Sequence, residues 1–155
     1  MPETSVRALL WLFTINLGIV FGAGLYESRV VVPLWASAPP GSLRSPDSGR
    51  RFWAFVSTIP LTLLTLANLV AAWRAVGPER TWWLSATLVV LAERVATFAF
   101  FIPTMLRLQR DSTGSDLAVG HAFARWVRLN HLRNLLTLTA WLAALKTLSI
   151  GWVAQ

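Results

Sequence analysis

The chain has 155 residues, of which 55% are hydrophobic and only 14% charged, and its formal net charge is +7 at pH 7. Soluble domains carry about a quarter charged residues, so this composition excludes an ordinary water-soluble domain. With no cysteine, it also excludes disulfides, zinc–thiolate sites, iron–sulfur clusters and thiol nucleophiles.

The apolar residues fall in four blocks: Ala8–Tyr26 running on to Trp35, Phe52–Trp73, Trp82–Met105 and Phe123–Ile150. A bilayer core takes about 20 apolar residues per helix. The expected fold is therefore all-α, a four-helix antiparallel transmembrane bundle forming a single domain over 1–155, with helices over about 8–35, 52–74, 81–105 and 122–150. The expected location is a lipid bilayer, the bacterial cytoplasmic (inner) membrane. Nucleic acid is not an expected partner. Most arginines sit in short loops and at helix ends, where they anchor helices at the interface, and no basic stripe interleaved with exposed aromatics tracks a phosphate backbone.

In chain order, Arg7 before an apolar run and "GAG" at Gly22–Gly24 are features of a signal peptide. The run continues through Val30–Trp35, too long for a signal core, so a retained helix is expected. Gly18 and Gly22 form a small-xxx-small pair suited to close helix packing. Pro33 and "APPGS" at Ala38–Ser42 should end this helix and open an irregular loop over Ser37–Arg51. The second helix begins at "RRFW" and should bend at Pro60, whose missing N–H frees a carbonyl. The turn "AVGPER" (Ala75–Arg80) makes the second and third helices antiparallel. Pro103 disfavours helix at Ile102 and should end the third helix at "FIPTM". A second long loop, Leu106–Ala122, then carries the surface turn "DSTGSD". The arginines of the long-loop side outnumber the basic residues of the other, which favours both long loops in the cytoplasm. Trp35, Trp53, Trp73, Trp82, Trp83 and Trp152 read as an interfacial belt, with Trp126 the exception.

Antiparallel threading gathers the polar residues on the long-loop side: Glu27 and Arg29, Glu93 and Arg94, then Asn130, His131, Arg133 and Asn134. The opposite half offers Asn16 and Asn68. An ionisable residue at depth costs about 2.5–3.5 kcal/mol on insertion scales, so such residues face the bundle interior and are paired. Two acids, Glu27 and Glu93, can balance two bases, Arg94 and Arg133. Trp126, Asn130, Arg133, Asn134 and Thr137 share one face of the fourth helix at spacings of three and four. Asn16 and Glu27, eleven apart, share a face of the first, and Glu93 and Thr97 share one with Phe100 and Thr104 on the third. The first and fourth blocks run about 28 residues, or about 42 Å against a core of about 30 Å. Glu27, Arg29 and Arg125–Asn130 can therefore sit at headgroup level, whereas Glu93–Arg94, mid-block, cannot.

"RWVRLNHLR" (Arg125–Arg133) resembles the fourth-helix pattern of the anthrone oxygenase-like family of small four-helix membrane proteins, in which a tryptophan, an asparagine and an arginine recur with the spacing of Trp126, Asn130 and Arg133. "FFIPTMLRL" (Phe100–Leu108) resembles that family's third-helix ending, with Thr104 where the family often has asparagine. "GLYESRVVVPLW" (Gly24–Trp35) resembles the first-helix ending. The resemblance implies an enzyme that oxidises anthrones to anthraquinones with dioxygen.

Two functions remain open on these residues. The first is a membrane oxidoreductase acting on a lipid-soluble aromatic, anthrone- or quinol-like substrate in a polar pocket on the long-loop side. His131 or Glu93 would remove a proton, Arg94 and Arg133 with Asn130 would stabilise the oxyanion, and Trp126, Glu27, Tyr26, Thr104 and Asn134 would bind the substrate. No metal and no cofactor is expected, with haem and quinone kept as alternatives. The second is a non-catalytic binding or accessory module whose polar cluster is a structural salt-bridge network. A transport pathway through four helices without a repeat would need a homo-oligomer.

Overall fold

A computed structural model of the chain describes residues 3–36, 49–110 and 116–153. The "APPGS" stretch, Arg44 and most of "DSTGSD" lie outside the described residues. All regular structure among the described residues is helical, in four long helices: α1 (3–36), α2 (50–74), α3 (79–110) and α4 (Asp116–Val153). The expected limits are exceeded at the long-loop ends, since α3 runs on to Arg110 and α4 begins at Asp116. Much of the loop expected over Leu106–Ala122 is therefore helix. Between α2 and α3 the turn is tight, and Gly77 takes φ +116° there, a value that favours glycine.

Pro33, Pro60 and Pro103 lie inside helices, and each follows the same local device. A π-helical turn at Glu27–Val31 precedes Pro33, one at Ala54–Thr58 precedes Pro60, and one at Thr97–Phe101 precedes Pro103. In all three, the residue just before the proline donates its N–H to the first residue of the turn, five positions back: Val32 to Glu27, Ile59 to Ala54, Ile102 to Thr97. A proline ring clashes with the carbonyl four residues earlier and offers it no donor. Widening the preceding turn by one residue relieves that clash and lets the helix continue. "ESRVVVP", "AFVSTIP" and "TFAFFIP" are three copies of one solution. At Val56, four before Pro60, the freed carbonyl accepts Asn16 Nδ2 from α1 at 3.1 Å, which accounts for an asparagine in an otherwise apolar stretch.

Each helix packs on its chain neighbours, and α1 closes the ring against α4. Neighbours run antiparallel. Asn68 Nδ2 donates to Leu9 O at 3.4 Å while Asn16 reaches Val56, and Gly18 lies against Trp141 while Gly24 lies against Asn134. Three layers stack along the bundle. An apolar cluster fills the half nearest the short α2–α3 turn, built on Phe13, Leu17, Leu61, Val90 and Ala144. An aromatic cluster of Phe101, Phe123 and Trp126, with Val32 and Leu108, fills part of the long-loop half. Buried Glu27, Ser57, Glu93, Arg94, Thr97, Asn130 and Asn134 belong to neither cluster and gather along the helices between them. Trp83, expected at the interface, is instead buried, and its Nε1 donates to Asn68 Oδ1 at 3.1 Å. Asn68 in turn donates to Leu64 O at 2.8 Å, so this deep asparagine is satisfied on both ends.

Large apolar side chains cover the outside of all four helices, among them Ile15, Ile19, Phe55, Leu63, Val95, Phe98, Leu135 and Leu142. Three helical stretches, Thr4–Ala36, Arg51–Arg74 and Glu79–Arg110, are long and apolar enough to cross a membrane. Among the described residues α4 does not reach that level, although it is the longest helix at 38 residues. Arg125, Arg128, His131 and Arg133 interrupt its first half and Lys146 its second.

The close approach of α1 and α4 falls at Gly18 and Gly24 rather than at the expected Gly18–Gly22 pair. A Cβ at Gly18 would lie 3.1 Å from the Trp141 ring and one at Gly24 would lie 2.5 Å from Asn134 Oδ1, whereas one at Gly22 would meet nothing within 4 Å. Asn134 cannot move aside freely, because its Nδ2 donates to Gly24 O at 3.2 Å and to Ser28 Oγ at 2.8 Å. Thermal unfolding in detergent should show Gly24→Ala destabilised by about 1–3 kcal/mol, with Gly22→Ala at or slightly above the stability of the unmodified chain.

Candidate functional site

The three π turns converge on one cavity of about 280 Å³. Glu27 comes from the first turn, Ala54, Ser57 and Thr58 from the second, Thr97 and Phe101 from the third. The α4 helix adds Trp126 and Arg133, two turns apart on its inward face, and α3 adds Arg94. At its other end the cavity is walled by Trp35, Met105, Leu106 and Gln109.

Four charges meet beside it, and they balance as expected. Arg94 clamps its own neighbour with both arms of the guanidinium, Nε to Glu93 Oε2 at 2.6 Å and Nη2 to Glu93 Oε1 at 2.7 Å. Adjacent helical residues do not ordinarily face each other; here both side chains turn inward, and the bidentate geometry is the strongest form of such a pair. Thr97 Oγ1 donates to Glu93 Oε1 at 3.1 Å, and Arg94 Nη1 donates to Ser57 Oγ at 3.4 Å. Arg133 stands between the two acids, with Nη2 3.5 Å from Glu27 Oε2 and Nε 3.9 Å from Glu93 Oε1. Its guanidinium also lies over two rings, Phe101 at 5.0 Å and Trp53 at 5.8 Å from the centroids, a cation–π arrangement. Asn130 Nδ2 donates to Glu27 Oε2 at 3.4 Å, and Trp53 is a further hydrogen-bond partner of that carboxylate.

The two pairs differ in tightness. Glu93 and Arg94 are locked by short bidentate bonds, whereas Glu27 and Arg133 meet through longer contacts at the cavity wall. Trp126 is buried, stacked on Phe123 with 7° between the planes and met edge-on by Phe101. Among the described residues, the buried polar atoms without a partner include Trp126 Nε1, Gln109 Oε1 and Asn130 Oδ1. Each such atom costs about 1–3 kcal/mol, and two of these three belong to side chains that line the cavity.

The sequence-derived candidates separate into three groups. Glu27, Arg94, Trp126 and Arg133 line the cavity. Glu93, Asn130 and Asn134 are buried and stand behind it, the first two bonded to lining residues and the third tying α4 to α1. His131, Tyr26 and Thr104 do not line it. His131 is exposed on the outside of α4, because the spacing that turns Asn130, Arg133, Asn134 and Thr137 inward points residue 131 away. That placement corrects the expectation of His131 as a base. Tyr26 is 63% exposed on α1. Thr104, one residue past Pro103, is half-buried away from the lining. Sequence reasoning missed Ser57 and Gln109, and placed Trp35 and Trp53 in the interfacial belt. For Ser57 a signal existed, a Ser-Thr pair one turn before Pro60 in an apolar run. Among the described residues no group of three or more histidine or acidic side chains could hold a metal ion.

Comparison with family models, curated proteins and solved structures returned no match for this chain.

The charge network predicts a specific stability pattern. Glu93→Gln leaves buried Arg94 without its bidentate partner and should cost about 3–5 kcal/mol. Adding Arg94→Gln should recover most of that loss, a coupling measurable by thermal unfolding of the two single variants and the double.

Proposed function

We propose that the chain is an integral membrane protein whose four helices all span the bilayer, and that its cavity, on the long-loop side, binds a lipid-soluble aromatic, anthrone- or quinol-like molecule and oxidises it. The observation that carries this reading is a small aromatic-walled cavity with one carboxylate–guanidinium pair, Glu27–Arg133, at its wall and an unpartnered Trp126 Nε1–H beside it. A volume of about 280 Å³ lies near the lower end of small-molecule pockets, about 300–1,000 Å³, and suits one compact planar ring system. The α4 helix is included among the spans because its polar residues Asn130, Asn134 and Thr137 are buried, while Leu132, Leu135 and Leu142 face outward.

The residues divide the chemistry as follows. Glu27 accepts a proton from the acidic carbon or hydroxyl of the substrate, since Glu93 is fully engaged by Arg94. Arg133, held by the Phe101 and Trp53 rings, stabilises the oxyanion that forms, in surroundings where water does not screen it. Trp126 packs on the ring and donates to a substrate carbonyl. An electron-rich anion of this kind reacts with dioxygen directly. For an anthrone, the methylene carbon loses two hydrogens and gains one oxygen atom as the new carbonyl, and the second oxygen atom leaves as water. The resemblance of "RWVRLNHLR" to the anthrone oxygenase-like family points to the same reaction.

A second reading has its own support. The four charges are satisfied largely by one another, as in a non-catalytic binding module whose network is structural. Purified protein in phospholipid nanodiscs, supplied with anthrone in an oxygen-electrode cell, separates the two. The oxidase reading expects one dioxygen consumed per anthrone, turnover lowered about a hundredfold by Glu27→Gln and by Arg133→Gln, and no change with His131→Ala. Unchanged turnover in both cavity variants would remove the mechanism, and binding of anthrone without oxygen uptake would establish the second reading.

A further inference from the structure

Next to the inner cavity lies a larger one of about 470 Å³, between the end of α1 and the start of α2. Glu27, Trp35 and Trp53 line both, so these three side chains form the partition between them. The rest of the outer wall comes chiefly from Ala23, Tyr26, Val31 and Phe52. Tyr26 is 63% and Phe52 50% exposed, which places this groove on the outside of the bundle. Leu25, Val30 and Phe55, from the same stretches of α1 and α2, are exposed there too. An outer face this apolar is suited to lipid rather than to water.

We propose that the groove between α1 and α2 is a lateral docking site for a flat, uncharged, lipid-dissolved aromatic ligand, which passes from there into the inner cavity by displacement of the Trp53 side chain. The inference rests on the reading that the inner cavity binds such a ligand. Aromatic and aliphatic walls supply stacking surface, and among the described residues the charged group lining the groove is Glu27, whose partner Arg133 lines the inner cavity. An anionic ligand would be repelled at Glu27, and a cationic one would be held there in competition with Arg133. A neutral ring meets neither obstacle. Trp53 suits a gate. Its backbone is fixed in the first turn of α2, where its N–H donates to Gly49 O at 2.9 Å. Its half-buried ring is held by contacts that a rotamer change breaks and remakes: the edge-on contact with Phe52 at 5.4 Å, the stacking with Arg133 and the hydrogen bond to Glu27. Ala23 leaves the floor of the groove open where a larger residue would fill it.

Stopped-flow quenching of tryptophan fluorescence by anthraquinone, on the full chain in phospholipid nanodiscs, tests the proposal. Ala23→Phe fills the groove without touching the inner cavity. It should slow association and dissociation together by about tenfold and leave Kd unchanged, as narrowing a passage requires. Phe52→Ala widens the groove and should speed both; thermal unfolding checks that each variant is folded, and Phe52→Ala decides alone if Ala23→Phe is not. Rates equal to those of the unmodified chain in the folded variants overturn the lateral entrance. Absence of saturable anthraquinone binding to the unmodified chain overturns instead the reading of the inner cavity as an aromatic-ligand site.

Discussion

A proline inside a helix leaves one carbonyl without its donor and presses its ring against that carbonyl's turn. Inside an apolar bundle neither defect is relieved by water, so the chain must absorb both locally. Here the same answer is used in α1, α2 and α3, a π turn ending two residues before the proline. Because the three devices lie at one level of an antiparallel ring, their effects add. Helices that would otherwise close on a continuous apolar core are opened where Glu27, Ser57, Thr58, Thr97 and Phe101 face one another. The cavity is thus a consequence of three prolines rather than of any single side chain. In the half of the bundle nearest the short turn, Phe13, Leu17, Leu61 and Ala144 form one buried apolar core.

An opened polar layer inside an apolar bundle is stable only if its charges cancel. The division into one tight and one loose pair gives each a separate consequence. Glu93–Arg94, with bonds of 2.6 and 2.7 Å and further partners in Thr97 and Ser57, behaves as scaffold. Breaking a buried pair leaves an uncompensated charge, which is far costlier than replacing both members. Glu27–Arg133, at 3.5 Å and on the cavity wall, keeps capacity for a further partner. Rings on Arg133 hold its guanidinium in place without consuming its hydrogen-bond donors, which leaves it directed at the acids and the cavity.

Much of this was legible in the sequence, for reasons that also explain what was not. The four helices and the gathering of Glu27, Glu93, Arg94 and Arg133 follow from the cost of placing charge in an apolar block, a constraint strong enough to override local detail. Helical spacing correctly turned Trp126, Asn130, Asn134 and Thr137 inward. The same spacing excludes His131 from that face, and the expectation of a histidine base failed because its chemistry was weighed above its position. Pro103 was misread as an end because the preference against helix before proline is a local rule, whereas a π turn followed by more helix is sustained by packing along the whole bundle. Asn16 and Trp83 had partners, Val56 O and Asn68 Oδ1, that only the ring of neighbouring helices supplies.

The low apolarity of α4 has the same origin. Hydropathy along a helix averages the face turned to the neighbours with the face turned outward, while a bilayer meets only the second. The α4 helix turns Asn130, Arg133, Asn134 and Thr137 inward and sets Trp126 against the cavity. Its average falls in part for that reason and in part because Arg125, Arg128, His131 and Lys146 are exposed beside Leu132, Leu135 and Leu142 on its exterior. The exposed Arg125 and Arg128 are two turns or less from the start of the buried polar run, at the long-loop end where headgroups would meet them. A helix that carries a site in a membrane bundle is therefore the one whose span is hardest to recognise by composition. The outward face of α4 combines Leu132, Leu135 and Leu142 with charged residues toward both ends, Arg125 and Arg128 at one and Lys146 at the other, and the fourth crossing stands with the cavity as part of one proposal.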